Sequence, residues 1–532
     1  MSERSVFLRH LIGGGWATDF GGRAQAQIQN SIVTIPFLTT ADNIIYKMDG
    51  SVAKPGGTAK INGTVFQSGA TIKGIYDYWR TGAAGTPAQH RIVHVDTVVK
   101  KDDGDETFTD LFTGLQAGKM PDYTTCEDLL ILTSNSTTDV PKSWDGTTAQ
   151  SLAGSPPNFS FAVVYKGRLF ASGNASAPSK VYYTGRFDPT NWSGQGSGDF
   201  NINPNDGDVV TGLAVYKDRL WIFKGPNKGS IHYISGAAPT GDDPFRETVF
   251  ITGVGSVNHQ TITTFGDDLC FMWSDGSVHS LKNLESEGLF GARSLTFPIQ
   301  SWIRANLKIS SLSQAVATTL PGDGMVLYGL PLSGSTTNNM IIGFDYRFSP
   351  IRWFQWSTFG TMGTAMTTMM DPDDANRRKL VLGGADGYIR HALTTRKTLD
   401  TGTNIGQNIV TPFLDYGVPQ NFKTITGGSI GVKTIGNASA IFKWQRDNFA
   451  YQSHSVTLLS GTAELAPSVG GTNFILNTHT LGGDSFVDKF FDLEEGGEFR
   501  SIRYQILNAA ANDSVDLDDF GALVEGGGFS IE

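Results

Sequence analysis

Asp268-Leu-Cys-Phe-Met-Trp273, then Ser274-Asp-Gly276 and Ser277-Val-His279, reads as a short apolar strand, a tight turn and a second strand. Asp-Gly is the pair favoured where a two-residue hairpin needs positive φ. The same phrase opens with Leu129-Leu-Ile-Leu-Thr133, Arg168-Leu-Phe-Ala-Ser172, Arg219-Leu-Trp-Ile-Phe223, Met325-Val-Leu-Tyr-Gly329 and Lys379-Leu-Val-Leu-Gly383. The six starts lie about 40 to 57 residues apart, the period of four-stranded sheets set around an axis. Their second strands are read at Lys142-Ser-Trp-Asp-Gly146, Lys180-Val-Tyr-Tyr183, Ser230-Ile-His-Tyr-Ile234, Gly276-Ser-Val-His279, Ile341-Ile-Gly-Phe-Asp345 and Gly387-Tyr-Ile-Arg390. A weaker seventh unit runs from Arg91-Ile-Val-His-Val95 through Val98-Val99. The fold class is therefore all-β, with a β-propeller of six or seven blades.

Outside the repeats the pattern changes. Residues 1–70 carry short alternating runs such as Ile32-Val-Thr-Ile35 between glycine turns, and form an N-terminal arm expected to lie across the propeller or close its ring. The propeller is assigned to 71–397. Thr395-Arg-Lys-Thr-Leu-Asp-Thr-Gly-Thr-Asn404 reads as a polar linker, and 398–532 holds alternating runs, among them Ser429-Ile-Gly-Val-Lys433 and Ala440-Ile-Phe-Lys-Trp444, that suit a C-terminal antiparallel β-sandwich. One stretch breaks the β pattern: Pro298 followed by apolar residues at 299, 302, 303 and 307 predicts a short helix between blades.

Composition narrows the function classes. Charged residues make up 17% of the 532, against about a quarter in an average soluble chain. A weakly charged surface suits a subunit covered by neighbours. The net charge of −10 is concentrated at the end, where residues 401–532 hold 15 acidic against 7 basic side chains. No window shows the basic face of a sequence-specific DNA reader. Cys126 and Cys270 lie in separate repeats and are expected to be reduced and buried. Val6-Phe-Leu8 is interrupted by Arg9 and His10, so no export signal is expected, and no membrane partner.

The search for chemistry returns no catalytic, cofactor-binding or metal residues. Gly114-Leu-Gln-Ala-Gly118-Lys119 is followed by Met120, where a phosphate loop needs a hydroxyl for magnesium. The nine histidines show no zinc spacing. Trp273-Ser-Asp-Gly276 is like the Asp-box turn of sialidase-type propellers but lacks the later aromatic, and no carboxylate pair suited to glycoside hydrolysis stands out. Two acidic loops are candidate channel or interface elements: Asp102, Asp103, Asp105 and Glu106 in one, Asp242 and Asp243 in the other. In Trp353-Phe-Gln-Trp356, alternation puts aromatics on both faces, one set for the core and one available to an interface.

Four phrases carry a family resemblance. Gly13-Gly-Gly-Trp-Ala-Thr-Asp19, Val181-Tyr-Tyr-Thr-Gly-Arg-Phe-Asp-Pro-Thr-Asn-Trp192, Gly253-Val-Gly-Ser-Val257 leading to Gly266-Asp-Asp268, and Phe413-Leu-Asp-Tyr-Gly417 before Lys423 occur in order. Together they resemble the tail nozzle, or tail tubular, proteins of short-tailed bacteriophages. The chain departs from better-known members in blade spacing and in its long N-terminal arm. The resemblance implies a non-enzymatic virion protein made in the host cytoplasm. It would assemble as a six-fold ring below portal and adaptor, continue the DNA channel, retain the genome until ejection, and carry fibres or spikes. DNA would pass without sequence-specific binding, and the acidic balance suits such a conduit. From the residues alone, a carbohydrate-binding or polysaccharide-degrading propeller is the alternative.

Overall fold

In the computed structural model, two-residue turns set the register of the inner hairpins. Glu127-Asp128 joins Cys126 to Leu129, Lys166-Gly167 joins Tyr165 to Arg168, and Lys217-Asp218 joins Tyr216 to Arg219, all six residues at positive φ. Turns of this hand match the right-handed twist of the strands they link. The structure describes residues 5–20, 23–24, 28–29, 32–82, 85–102, 106–291, 293–371, 374–395, 398–435, 437–447, 449–459, 487–493, 497–508 and 514–526.

These residues pack as two compact units, neither continuous in sequence: 60–342 with 359–392, and 1–59 with 343–358 and 393–532. The first unit is the propeller. Four blades are complete four-stranded antiparallel meanders, starting at Ile72–Thr81, Pro121–Cys126, Phe161–Tyr165 and Val209–Tyr216. A three-stranded blade follows from Thr263–Phe265, and the last starts at Ala365–Asp371. Between the fifth and the sixth in sequence, Val316–Leu320 and Met325–Leu330 form an antiparallel hairpin. The seventh unit read at Arg91–Val95 is thus the hairpin of the first blade.

Apolar clusters fill the seams. Tyr78, Ile92, Leu130 and Trp144 lie between blades one and two; Phe170, Tyr183, Leu213 and Ile222 between three and four; Trp221, Phe223, Leu269 and Phe271 between four and five. The ring closes where Ile72, Ile75 and Val93 of the first blade meet Ala365, Val381 and Ile389 of the last. There the N–H of Ile61 donates to the Ile389 carbonyl (2.9 Å), and Asn62 brackets the same strand, accepting from Ile389 N (2.8 Å). Of the arm read at 1–70, residues 60–70 belong to the propeller unit and residues 1–59 to the other.

A tyrosine latch repeats across the seams. The hydroxyl of Tyr78 donates to Asp128 O, Tyr165 to Asp218 O (3.1 Å) and Tyr216 to Asp267 O, each reaching the inner turn of the next blade. The predicted helix is present as Gln300–Asn306, after a turn at Phe297–Ile299. A second helix, Leu281–Gly291, was not read from the sequence. Both cysteines are free and buried, and burial pushes their thiols up, Cys126 to about 11 and Cys270 to about 12.

The second unit stacks two sheets. In one, Ser5–Ile12 lies between Ile32–Ile35, parallel to it, and the antiparallel Ser514–Gly526; that strand pairs with Lys423–Ile435, which in turn pairs with Val487–Asp492. In the other, Thr40–Asp42 pairs with Gln407–Val410, which continues to Ile502–Asn508 and Asn437–Arg446. Aromatic rings interlock between them: Phe520 lies 5.2 Å from Tyr504, and His10, stacked on Phe520 beside it in the first sheet at 4.7 Å, lies 5.3 Å from the same Tyr504. The Trp353–Trp356 run belongs here, and all three of its aromatics are buried. Part of the linker read at Thr395–Asn404, residues 396 and 397, lies outside the described residues.

Candidate functional site

The acidic loops chosen from the sequence do not converge. Asp102 ends the strand Val98–Asp102, is fully buried, and sits directly opposite Arg91, whose guanidinium it pairs with at 2.6 Å. Its other oxygen accepts from the N–H of Glu106 (3.1 Å). The assignment of Asp102 to a channel-facing loop is therefore corrected: a carboxylate committed to a buried cross-strand ion pair does not present charge to a lumen. Asp103 and Asp105 lie outside the described residues. Glu106 is exposed, and so are Asp242 and Asp243, near the bridge between Ala238 and Pro244.

The groups that do converge lie around the propeller axis. Between blades four and five the chain turns inward at His259–Thr261. Asn258 anchors this turn: its Oδ1 accepts from Thr261 N (2.9 Å), and its amide donates to Leu312, Ser313 and Ala315 carbonyls. His259 stacks on Phe161 of blade three (4.9 Å, 11°). Its Nδ1 accepts from the Leu213 N–H (3.2 Å), which leaves the proton on Nε2, facing Asp122 Oδ1 of blade two at 3.5 Å. The other Asp122 oxygen accepts from Ala162 N (3.0 Å). Gln260 donates through Nε2 to the Pro121 carbonyl.

This turn leaves two adjoining cavities that share Pro121, Asp122, His259 and Gln260 as walls. One, of about 200 Å³, is lined by Lys73 and Tyr76 of blade one, Tyr123 of blade two, and small residues including Gly74, Ala317 and Ala365. The other, of about 290 Å³, opens toward blades three and four through Phe161, Val210 and Thr211.

Burial sets the chemistry of the wall. It raises the Asp122 carboxyl, an effect opposed by His259, and lowers the Lys73 ammonium, opposed by Asp96. Tyr123 stacks on Tyr76 (5.3 Å), and its phenol is pushed well above its ordinary value by burial, reinforced by Asp122. Lys73, Asp122, Tyr123, His259 and Gln260 were not found by sequence reading. No motif joins them, because they come from three elements far apart in the chain: Lys73 from Ile72–Thr81, Asp122 and Tyr123 from Pro121–Cys126, and His259 and Gln260 from the turn His259–Thr261. The Asp-box-like Asp275 is spent on its own turn, accepting from Ser277 N (2.9 Å) and from its hydroxyl. Among the described residues no cluster of three or more metal-ligating side chains occurs, and no helix is long and apolar enough to cross a membrane.

These features define the class as an all-β protein combining a propeller with a two-sheet unit. No family model and no curated protein matches the chain. Among solved structures it is similar to a glycoside hydrolase family 43 arabinoxylan arabinofuranohydrolase from Bacillus subtilis, in complex with cellotetraose. Identity is 12% over 87% of this chain and 97% of that one, with a TM-score of 0.22, too low to carry an argument about chemistry.

Proposed function

We propose that the chain is a structural virion protein, a subunit of the distal tail nozzle ring of a short-tailed phage. In this reading it is not an enzyme; it continues the DNA channel below portal and adaptor, retains the genome and lets it leave. The observation that carries the reading is apolar surface on a weakly charged subunit. In the two-sheet unit Met48 is 65% exposed, Phe422 53%, Phe449 64% and Phe490 68%. Large apolar side chains left in water favour burial against another subunit. Glu106, Asp242 and Asp243 are the acidic candidates left for the channel wall.

Light scattering on the purified chain, followed by negative-stain imaging, tests the reading. Rings of about six copies with a central hole are expected, closed by a cyclic interface. A stable monomer that also fails to join a portal–adaptor complex overturns it, and puts the carbohydrate-binding alternative first. Within assembled particles, Glu106→Lys with Asp242→Lys and Asp243→Lys should slow or trap DNA during ejection; unchanged ejection removes these residues from the channel wall.

A further inference from the structure

The smaller axial cavity holds polar groups that the fold leaves unused. The Tyr123 hydroxyl is buried without a hydrogen-bond partner. Such an orphan costs about 1–3 kcal/mol unless something in the cavity satisfies it. Lys73 lines the same space from the strand Ile72–Thr81, and among the described residues its ammonium makes no ion pair or hydrogen bond. Lining the same cavity are two acceptor-bearing residues: Asp122, whose carboxylate lies beside His259, and Gln260, whose amide nitrogen is fixed on the Pro121 carbonyl. Tyr76 closes one side, its hydroxyl held by Thr125 (3.0 Å).

The volume of about 200 Å³ equals about seven waters of liquid, room for one six-membered ring with its substituents. The unpaired cation selects an anion. The acceptors that share the cavity select hydroxyl donors, which inorganic phosphate supplies poorly and a sugar ring supplies on several sides. We propose that this axial cavity binds a single sugar-acid residue, a hexuronate, with its carboxylate on Lys73 and its hydroxyls on Tyr123, Asp122 and Gln260. The site does not rest on the nozzle reading, since a ring subunit and a free sugar-binding propeller can both carry it. It needs no catalysis.

The test is calorimetric titration of the full-length protein with glucuronate, glucose and inorganic phosphate. Saturable binding of glucuronate is expected, weaker by about tenfold or more for glucose, which lacks the charge-assisted contact. Lys73→Met should weaken glucuronate by a similar factor and leave glucose unchanged, while Lys73→Arg keeps the preference for the acid. Should Lys73→Met fail to fold, Gln260→Leu tests the opposite wall and should weaken both sugars. The proposal is overturned if glucuronate shows no saturable binding, if phosphate displaces it at equal concentration, or if its affinity is indifferent to both substitutions. Ring assembly measured on the same variants should not change, so failure of this site and failure of the nozzle reading are separable.

Discussion

The propeller and the two-sheet unit hold together over different distances along the chain. Except at the closing blade, where Ile61 meets Ile389, a propeller blade pairs strands that follow one another, and the recurrent tie between blades, the tyrosine latch, spans about 50 residues, from Tyr165 to Asp218 or from Tyr216 to Asp267. In the other unit, Ser5–Ile12 finds its partner in Ser514–Gly526, with Arg9 opposite Gly521. Thr40–Asp42 pairs with both Gln407–Val410 and Arg352–Trp356. One unit is a local pattern repeated; the other is assembled from the ends of the chain and an excursion of its middle.

The strongest way to break this comparison is Leu8→Asp. Leu8 is fully buried at the centre of Ser5–Ile12, and a charge there has no partner. The expected loss exceeds about 4 kcal/mol, enough to unfold the unit. Hydrogen exchange should show protection lost over 423–435 and 514–526, near the far end of the chain, while strands between 121 and 252 stay protected. If the propeller loses protection in step, the two units do not fold independently.

The same contrast explains what could be read beforehand. Apolar strands at 129, 168, 219, 268, 325 and 379 announced the propeller because the period is visible without knowing any partner. The helix at Gln300–Asn306 was legible from its spacing. The tight inner turns were not, since Glu127-Asp128 and Lys217-Asp218 lack the glycine that marks such a turn, and adopt positive φ because the flanking ladders hold them there. Division of the chain into 1–70, 71–397 and 398–532 follows sequence order, whereas the packing gives residues 1–59 and 343–358 to the C-terminal sheets. Short strands such as Thr40–Asp42 show no pairing preference until Gln407–Val410 is beside them. Asp102 looked like part of a solvated acidic loop because its partner, Arg91, stands on the neighbouring strand.

Lys224→Met sharpens the propeller side. The Lys224 ammonium is fully buried in blade four and donates to Ile202 O (2.9 Å), Asn203 O (2.8 Å) and Asp206 (2.7 Å), tying down the loop from blade three. Methionine keeps the stem and removes every one of these bonds. Hydrogen bonds from a charged group contribute about 1.5–3 kcal/mol each, and the Asp206 left behind is partly exposed, so a loss of about 3 kcal/mol is expected. Urea unfolding followed by exchange should place that loss in the propeller alone.

Acid separates the units less strongly and in a calculable direction. Burial holds His10, in the two-sheet core, at about 3 and His94, in the propeller, at about 4, both below the ordinary 6.5. Each is neutral when folded and must take up a proton more readily when unfolded. Stability is therefore full above pH 6.5 and is lost as pH falls, down to about 4 for His94 and about 3 for His10. Between pH 7 and pH 5 each histidine should withdraw about 2 kcal/mol from its own unit. His10 accepts from Tyr416, which meets Tyr504 at 2.7 Å, so His10→Gln keeps a polar partner while removing the titration. The pH slope of the two-sheet unit should flatten in that variant and the propeller slope should not.

Tyr165→Phe gives the smallest effect and tests whether the latch is a device of the propeller or a coincidence of packing. The ring remains among Phe170 and Phe245. Only the hydroxyl is lost, which donates toward Asp218 O and Gly236 O, both at 3.1 Å. A neutral hydrogen bond of this kind contributes about 1 kcal/mol, and the abandoned carbonyls can reach water at the turn. Tyr216→Phe removes the equivalent bond one seam further on. Because the two latches lie in different seams, their costs should add to within about 0.5 kcal/mol if each acts alone. A coupling well above that, measured in a double-mutant cycle, would mean that the seams open together and that the propeller is less local than its sequence period.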